Sequence, residues 1–302
     1  MSMKKISLFI IKIAAIIGMA LAIWMQQSKN KVADRQIPAV PNPMQIVSMA
    51  PNLTELLYAL GLDKEIIAVS TDSNYPLQAK MLPKVGTFWQ PDLEAILMAR
   101  PTLVVAMGFD QQKALANRLQ KIGCKALSLN IESFPELYSG IETLGKATSR
   151  EIEAGKLILR LQSTQSSLRG RFAGRSGPKV LWVIQREPLR VAGVDTFINE
   201  LISTCGGVNA IAKTPHQYPP IGQETLLASS PDIIIEPSDT QADYERLTRT
   251  AAEFYGRYPS LPAVQDKRIY VLDGDLVSRL GPRIEQGMIE VAKCLWPQEK
   301  FE

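Results

Sequence analysis

The sequence predicts an α/β fold of two wound parallel-sheet lobes joined by one long helix. Three observations lead to this prediction: an internal duplication, an alternation of apolar strand-like runs with helical patterns, and a long helical stretch between the duplicated parts. The chain has 302 residues, of which 46% are hydrophobic. A chain of this length and composition can bury the cores of two domains.

The duplication is clearest where a glutamate, a proline and an apolar run recur in each half. Residues 92–107 read DLEAILMARPTLVVAM, and residues 224–237 read ETLLASSPDIIIEP. Aligned on Glu94 and Glu224, both segments place aliphatic residues at +2 and +3 and a proline at +7. The pattern predicts a short helix that stops before the proline, followed by a buried strand of a parallel sheet.

A second pair of motifs recurs in the same order. Residues 54–57 read TELL and residues 199–202 read NELI. After three intervening residues, each motif is followed by a glycine, Gly61 or Gly206, which is placed to end a helix in the left-handed conformation. The repeated order favours a duplicated pair of α/β lobes.

The stretch between the halves predicts a single connecting helix. Residues 149–171 contain few helix breakers, with Ser149 as the expected N-cap and Gly155 as a weak point. Because one helix is a stiff connection, we expect a mostly preformed cleft with modest domain motion. The predicted organisation is a signal peptide or membrane anchor over 1–25, a tether over 26–43, lobes over 44–148 and 174–302, and the connecting helix over 149–173.

Eight strands are expected, four in each half. They lie near 45–48, 66–69, 103–106, 126–129, 180–184, 189–192, 232–236 and 268–272, and a last helix is expected over 282–295. Ligands of wound parallel sheets bind beyond the carboxyl ends of the strands. Two lobes that face each other therefore enclose a cleft.

Aromatic residues are expected to line this cleft. Phe88 and Trp89 precede the Glu94 helix, and Tyr218 precedes the Glu224 helix. By the symmetry of the duplication, these aromatics face each other across the cleft, and Tyr75 is a further candidate. Flat aromatic surfaces suit a large, partly apolar ligand.

The N-terminus reads as an export signal. Lys4 and Lys5 precede an apolar stretch from Ile6 to Met25 that only Lys12 interrupts. The uninterrupted part of this stretch, from Ile13 to Met25, has the length of a signal-peptide core, whereas the whole stretch is just long enough to cross a bilayer. A cleaved signal and a retained membrane anchor both remain open, and no other contact with a membrane is expected.

Charge and motif content argue against nucleic-acid binding and catalysis. The chain has 34 Lys and Arg against 30 Asp and Glu, without a basic run.

A single histidine, His216, offers little to a catalytic dyad or a multi-histidine metal site. No phosphate loop, GxSxG or GxGxxG occurs. We predict no catalytic residue, metal site or cofactor. A hydrolase or lyase on a duplicated scaffold and a membrane-tethered interaction protein remain as alternatives.

The quoted segments resemble the periplasmic binding proteins for cobalamin and ferric siderophores, a class III type with two lobes joined by one long helix. The cobalamin-binding branch is the most similar, and the resemblance runs from about Pro43 to Leu295. The segments that carry it are VSMAPNLTELLYALG, STDSNYPLQA, VGTFWQPDLEAI, GVDTFINELISTCGGVNAI and YPPIGQETLLASSPDIII.

The resemblance implies a periplasmic protein that captures a cobalamin-type corrinoid and delivers it to the permease dimer of an ABC importer. A ferric siderophore or heme is the alternative ligand, and we expect a monomer. In that family a glutamate on each lobe docks into arginine pockets on the two permease subunits. The matching residues here are Glu94 and Glu224.

The resemblance also implies ligand contacts. Phe88 and Tyr218 match cleft aromatics of the cobalamin-binding proteins. Asp72, Met107 and Leu276 stand where those proteins have further aromatics, which leaves the identity of the ligand open. Arginines that would suit an anionic siderophore follow second-lobe strands and either line the cleft or face solvent: Arg186, Arg190, Arg279 and Arg283. The expected ligand-binding residues are therefore Phe88, Trp89, Tyr218, Tyr75, Met107 and Arg279.

The chain has three cysteines. The cobalamin branch pairs cysteines at the places that match Cys205 and Cys294, so the resemblance implies a disulfide between them. Such a bond closes a loop of about 90 residues and contributes roughly 4–5 kcal/mol in chain-entropy estimates. Cys124 remains as an unpaired, buried thiol.

Overall fold

The computed structural model describes residues 43–238 and 244–301. Residues 44–302 form one compact unit. The predicted signal peptide or anchor, and the tether up to residue 42, lie outside the described residues. Within the described ranges, no helix combines the length and the hydrophobicity that a membrane crossing needs.

The first lobe is built on a fully parallel four-stranded sheet in the order β2-β1-β3-β4. The strands are β1 (Ile46–Ser48), β2 (Ile66–Val69), β3 (Leu103–Met107) and β4 (Ala126–Leu129). The central strands β1 and β3 are apolar at nearly every position because helices cover both faces of the sheet. The helices of this lobe are α1 (Pro51–Ala59), α2 (Leu77–Lys80), α3 (Leu93–Met98), α4 (Asp110–Lys121) and α5 (Phe134–Thr148).

The connecting helix is α6 (Glu151–Phe172), with 22 residues and a length of about 33 Å. Its buried residues recur every three or four positions, and it packs on α5 and on helices of the second lobe. The principal hydrophobic core therefore runs without interruption from Ile46 in the first sheet through Leu161 in α6 to Trp182 in the second sheet.

Ser149 does not cap α6, contrary to the sequence-based expectation. It is the C-cap of α5, in the left-handed conformation with a φ of 56°, and Arg150 is the N-cap of α6. The two helices follow each other without a loop, so the left-handed residue between them is what redirects the chain.

The second lobe carries a mixed sheet in the order β6-β5-β8-β9, with β7 also paired to β5. Its strands are β5 (Lys179–Gln185), β6 (Arg190–Val191), β7 (Val208–Asn209), β8 (Ile233–Ser238) and β9 (Ile269–Asp273). All pairs are parallel except β5 with β6. The strand β6 was expected in a parallel sheet, but the four-residue connection from β5 is too short for a parallel crossover.

The described helices of the second lobe follow or cover these strands. They are α7 (Phe197–Thr204), α8 (Gln223–Ser229), α9 (Tyr244–Tyr255), α10 (Pro262–Gln265), α11 (Gly274–Val277) and α12 (Ile284–Leu295). Two predominantly parallel sheets with one long helix between them confirm the predicted fold class.

The predicted disulfide is absent, because Cys205 and Cys294 are both free thiols. The Cys205 thiol donates instead to the carbonyl oxygen of Met288, at 3.1 Å. Burial raises the pKa of the Cys205 thiol, and it raises the pKa of Cys294 to about 12. Cys124, expected to be buried, is partly exposed.

Replacing Gly155 in α6 with alanine is expected to stabilise the protein. A Cβ atom at this position meets no atom within 4 Å, and alanine favours a helix interior over glycine by about 0.5–1 kcal/mol. Urea unfolding should show this gain in the free energy of unfolding. Gly145→Ala is the control and should destabilise, because its Cβ would lie 2.6 Å from that of Ala154. Equal losses for both variants would contradict the expectation.

Candidate ligand-binding cleft

A central cavity of about 370 Å³ lies between the two lobes. This volume falls within the range of small-molecule sites. The first lobe contributes its wall from the ends of β1, β2, β3 and β4 and the segments that follow them. The second lobe contributes Phe197 at the start of α7 and residues around α11. The lining residues are Pro51, Asn52, Asp72, Phe88, Trp89, Met107, Ile131, Phe197, Gly274, Ser278, Arg279 and Leu280.

The position of the cavity follows from the parallel sheets. Pro51 and Asn52 come after β1, Met107 is the last residue of β3, and Gly274 comes directly after β9. The carboxyl ends of parallel strands lie at the same edge of a sheet, and ligands of such folds bind there. The two lobes turn these edges toward each other across the cavity.

An aromatic cluster forms the first-lobe wall. The ring of Phe88 packs edge-to-face on Trp89 with centroids 4.8 Å apart, and both rings contact Phe109, at 5.0 and 5.4 Å. The turn before them needs a glycine, because Gly86 has a φ of 91° and a Cβ there would collide with the carbonyl oxygen of Gln90. The loop thus presents its aromatic rings at the cavity.

The buried side chain of Gln112 holds this loop on the sheet. Its amide donates to the carbonyl oxygens of Phe88 and Met49, at 2.9 and 3.0 Å, and its carbonyl oxygen accepts from the backbone of Met107, at 2.7 Å. The Asp72 carboxylate also accepts a hydrogen bond from the Phe88 backbone. These bonds fix the aromatic wall before any ligand arrives.

Tyr218 lines a second, adjoining cavity of about 350 Å³ and not the central one. Phe197 and Ser278 line both cavities. The second-lobe aromatic residue at the central cavity, opposite Phe88, is therefore Phe197 and not, as the sequence suggested, Tyr218. Burial raises the pKa of the Tyr218 phenol, with the nearby Glu132 adding to the effect. Tyr218 is therefore a neutral hydrogen-bonding group in an extension of the cleft.

Arg279 lines the central cavity but belongs to a buried interlobe polar cluster, which comprises Glu55, Asn74, Asp275, Arg279 and Arg283. Its guanidinium lies 2.6 Å from an Asp275 oxygen and donates to Asn74 at 3.0 Å. Asn74 in turn donates to Asp275 at 2.8 Å. Since Asn74 belongs to the first lobe and the two charged residues to the second, this part of the cluster joins the lobes.

The other part of the cluster is a bidentate ion pair between lobes. Arg283 donates to both oxygens of Glu55, at 2.7 and 2.6 Å, and Glu55 is 3% exposed. Burial raises the pKa of the Glu55 carboxyl, although Arg283 and Arg279 oppose the rise. The Arg283 guanidinium also lies 4.0 Å from the ring centroid of Tyr75. Tyr75 thus covers the ion pair and does not line the central cavity.

A second interlobe contact involves the residue that the duplication matches to Glu55. The carboxylate of Glu200, on α7, accepts a hydrogen bond from the Phe134 backbone at the start of α5, at 3.0 Å. A carboxylate at the start of a helix is stabilised by the helix dipole. Each lobe therefore sends one glutamate of the repeated motif across to the other lobe.

The remaining arginine candidates are engaged outside the central cavity. Arg186 donates to both oxygens of Glu236, at 3.0 Å from its Nε, and Tyr255 donates to the same carboxylate at 2.6 Å. Arg190 donates to the backbone carbonyl of Tyr218 at 3.1 Å. Among the described residues, no group of three or more His, Cys, Asp and Glu side chains is arranged to hold a metal ion.

Glu94 and Glu224 are exposed in the first turns of α3 and α8. The side chain of Asp92 caps α3 by accepting from the backbones of Glu94 and Ala95, both at 3.0 Å. Neither helix buries its glutamate, although each buries the aliphatic residue at +2. The two acids therefore occupy equivalent surface positions on the two lobes.

Sequence reasoning missed two lining residues that the second repeated motif would have revealed. Extending the alignment of 54–57 with 199–202 by two residues toward the N-terminus matches Asn52 with Phe197, and both line the central cavity. Phe109, which packs on Phe88 and Trp89, was also missed, although it lies two residues after β3, near the strand end where ligand-binding groups are expected.

Comparison with known proteins identifies related sequences over most of the chain. A family model described as periplasmic binding protein matches residues 46–276. An uncharacterised ABC transporter substrate-binding lipoprotein of Bacillus subtilis (strain 168) is 28% identical over 89% of this chain and 85% of its own length. A vitamin B12-binding protein of Vibrio cholerae serotype O1 is 26% identical over 85% of this chain and 91% of its own length.

Solved structures share the fold. The periplasmic vitamin B12-binding protein of Vibrio cholerae superimposes with a TM-score of 0.73 at 25% identity, covering 85% of this chain and 98% of that one. A periplasmic heme-binding protein of Vibrio cholerae superimposes with a TM-score of 0.74 at 25% identity, covering 85% of this chain and all of that one.

Neutralising Glu55 is expected to destabilise the protein by about 3–5 kcal/mol, because Glu55→Gln leaves Arg283, whose side chain is 11% exposed, without its partner. Urea unfolding measures the loss. Glu142→Gln is the matched control: Glu142 pairs with Lys146 at the surface, where such a pair contributes about 1 kcal/mol or less. If both variants unfold at the same urea concentration, the buried pair does not hold the lobes together.

Proposed function

The chain belongs to the periplasmic binding protein family, and we propose that it captures a cobalamin-type corrinoid in the interlobe cleft for delivery to an ABC importer. The observation that favours this ligand is a cleft lined by aromatic rings, in which the charge of Arg279 is already paired with that of Asp275. The rings of Phe88, Trp89 and Phe197 offer apolar faces to a flat macrocycle. The hydroxyl of Ser278 also lines the cavity and can bond to the amide groups at the periphery of the macrocycle.

Charge compensation disfavours an anionic ferric siderophore. Among the described residues, Arg279 is the one basic residue that lines the central cavity, and its charge is paired with Asp275. In the polar cluster, the two arginines face two carboxylates, those of Glu55 and Asp275. A ligand with several negative charges would therefore meet no free cation among the described residues of this cavity, and Asp72 would repel it. A corrinoid with neutral amide groups carries no such cost.

Heme is the second candidate. Met107 lines the central cavity, and a methionine thioether is a known ligand of heme iron. The thioether already accepts a hydrogen bond from Asn52 at 3.6 Å, and the propionates of heme would meet the same lack of free cations. These two features favour the corrinoid over heme.

Membership of this family makes the chain a non-enzymatic transport component, so the hydrolase or lyase alternative is set aside. Its relatives are periplasmic proteins or lipoproteins. For this chain we propose a periplasmic location, reached through the export signal within residues 1–25, and a monomeric state.

Glu94 and Glu224 are the proposed docking residues for the permease dimer. Both are exposed, and they occupy equivalent positions on the two lobes. Two equivalent acids suit a partner made of two like subunits, and charge-assisted bonds to arginine set the register of such a contact. The first-turn position also complements the dipole of each short helix, which explains why an acid is stable there.

Titration of the purified chain with cyanocobalamin should give saturable one-to-one binding, detected as quenching of tryptophan fluorescence and a rise of the thermal midpoint. Phe88→Ala should weaken this binding by about tenfold or more, because it removes a ring of the aromatic wall. The control is Phe301→Ala, whose ring packs near Phe172 and lines neither cavity.

Parallel titrations with heme and with a ferric siderophore complete the test. Saturable binding of heme alone would transfer the proposal to heme. Binding of the siderophore alone would show that the charge argument is wrong. Equal affinity of the wild type and Phe88→Ala for cyanocobalamin would remove the aromatic wall from the site.

Charge reversal at both docking residues should abolish transport while leaving ligand binding intact. In the native host, Glu94→Arg with Glu224→Arg should lower the uptake of labelled cyanocobalamin at least about tenfold, because the new charges repel the basic pockets of the permease. Glu151→Arg with Glu153→Arg, two exposed acids on α6, is the control. Normal uptake by the docking variant would reject the assignment.

A further inference from the structure

Two exposed leucines occupy matching positions on the two lobes. Leu97 on α3 and Leu227 on α8 expose 40% and 39% of their surface, whereas the preceding aliphatic residues, Ile96 and Leu226, are both 0% exposed. The residues at +2 thus attach each helix to its lobe. The leucines at +3 leave much of their apolar surface in water, and the duplication has retained this arrangement in both halves.

Each leucine shares a helix face with a proposed docking residue. Residues three apart are neighbours on a helix surface, so Leu97 adjoins Glu94 and Leu227 adjoins Glu224. Within residues 43–238 and 244–301, neither of these two carboxylates forms an ion pair. Each lobe therefore presents one unpaired acid beside one exposed leucine.

We propose that Glu94 with Leu97, and Glu224 with Leu227, are two equivalent docking pairs for the permease dimer. In each pair the leucine enters an apolar contact beside the basic group that binds the glutamate. The inference rests on the docking function proposed above and adds the apolar half of the interface. Protein interfaces combine an apolar centre with polar groups around it, and charges contribute more to orientation and association rate than to affinity.

The duplication supports this partner specifically. A dimer of like subunits presents the same surface to both lobes, so a contact residue is expected to recur at equivalent positions. The exposed leucines do recur, whereas their neighbours at +4 differ. Met98 in the first lobe is 82% exposed, and the second lobe has Ala228 in its place. The leucines, and not every exposed apolar residue of these helices, are therefore assigned to the docking pairs.

Site-specific photo-crosslinking tests the proposal without depending on the identity of the ligand. The full chain with Met98→p-benzoylphenylalanine is produced in the native host in place of the wild-type copy, and crosslinked partners are identified by mass spectrometry. We expect a crosslink to an ABC permease subunit. Adding Leu97→Ser with Leu227→Ser should lower its yield about tenfold, since the apolar contact is lost, and should leave the thermal midpoint unchanged.

A matched control and the charge variant separate the possible results. Ile152→Ser with Leu159→Ser alters two leucine-sized residues on α6 that are 71% and 68% exposed, and it should keep the full yield. An equal loss in this control would show that the leucines of α3 and α8 are not specific and would overturn the inference.

Comparison with Glu94→Arg and Glu224→Arg distinguishes this inference from the proposed function. If only the charge variant loses the crosslink, the glutamates dock and the leucine contact is refuted. If neither variant loses it, the docking surface itself is refuted. If only the leucine variant loses it, the apolar contact is supported and the role of the glutamates is refuted.

Discussion

The ion pair between Glu55 of the first lobe and Arg283 of the second is the contact on which the geometry of the cleft depends. Both hydrogen bonds of the pair are short, and the Glu55 carboxylate is almost fully buried. Separating the lobes at this point would leave a charged group without its partner in a poorly hydrated site, which costs several kcal/mol. The bond from Phe134 to Glu200 and the packing of α6 on helices of both lobes add to the contacts between the lobes.

The same cluster determines the chemical character of the cleft. Because Arg279 is paired with Asp275 and bonded to Asn74, this arginine at the central cavity serves the contact between the lobes. The surface left to a ligand consists of aromatic rings, aliphatic groups, neutral hydrogen-bonding groups and the carboxylate of Asp72. Such a surface selects by shape and apolar area, which suits a large neutral macrocycle better than a multiply charged chelate.

The duplicated halves use equivalent positions for related tasks. Glu55 and Glu200 each cross to the opposite lobe, and Asn52 and Phe197 each line the cavity. The match between Asn52 and Phe197 pairs a polar with an aromatic residue, so the two lobes present different chemistry to one ligand on equivalent backbones. Duplication thus explains the symmetric frame of the cleft, and divergence at single positions explains its asymmetric lining.

The sequence by itself determined the elements whose causes are local. The strands at 66–69 and 126–129 and the long helix follow from apolar runs, prolines and glycines that act within a few residues, and the structure contains them. Only the tertiary structure decided which distant side chains meet. Asn74 and Arg279 are 205 residues apart in the chain. No local pattern shows that Arg279 bonds to Asn74 or that Tyr75 covers Arg283, because both contacts join residues of different lobes. The bond from Cys205 to the carbonyl group of Met288 also depends on packing, here of the end of α7 on α12 within the second lobe.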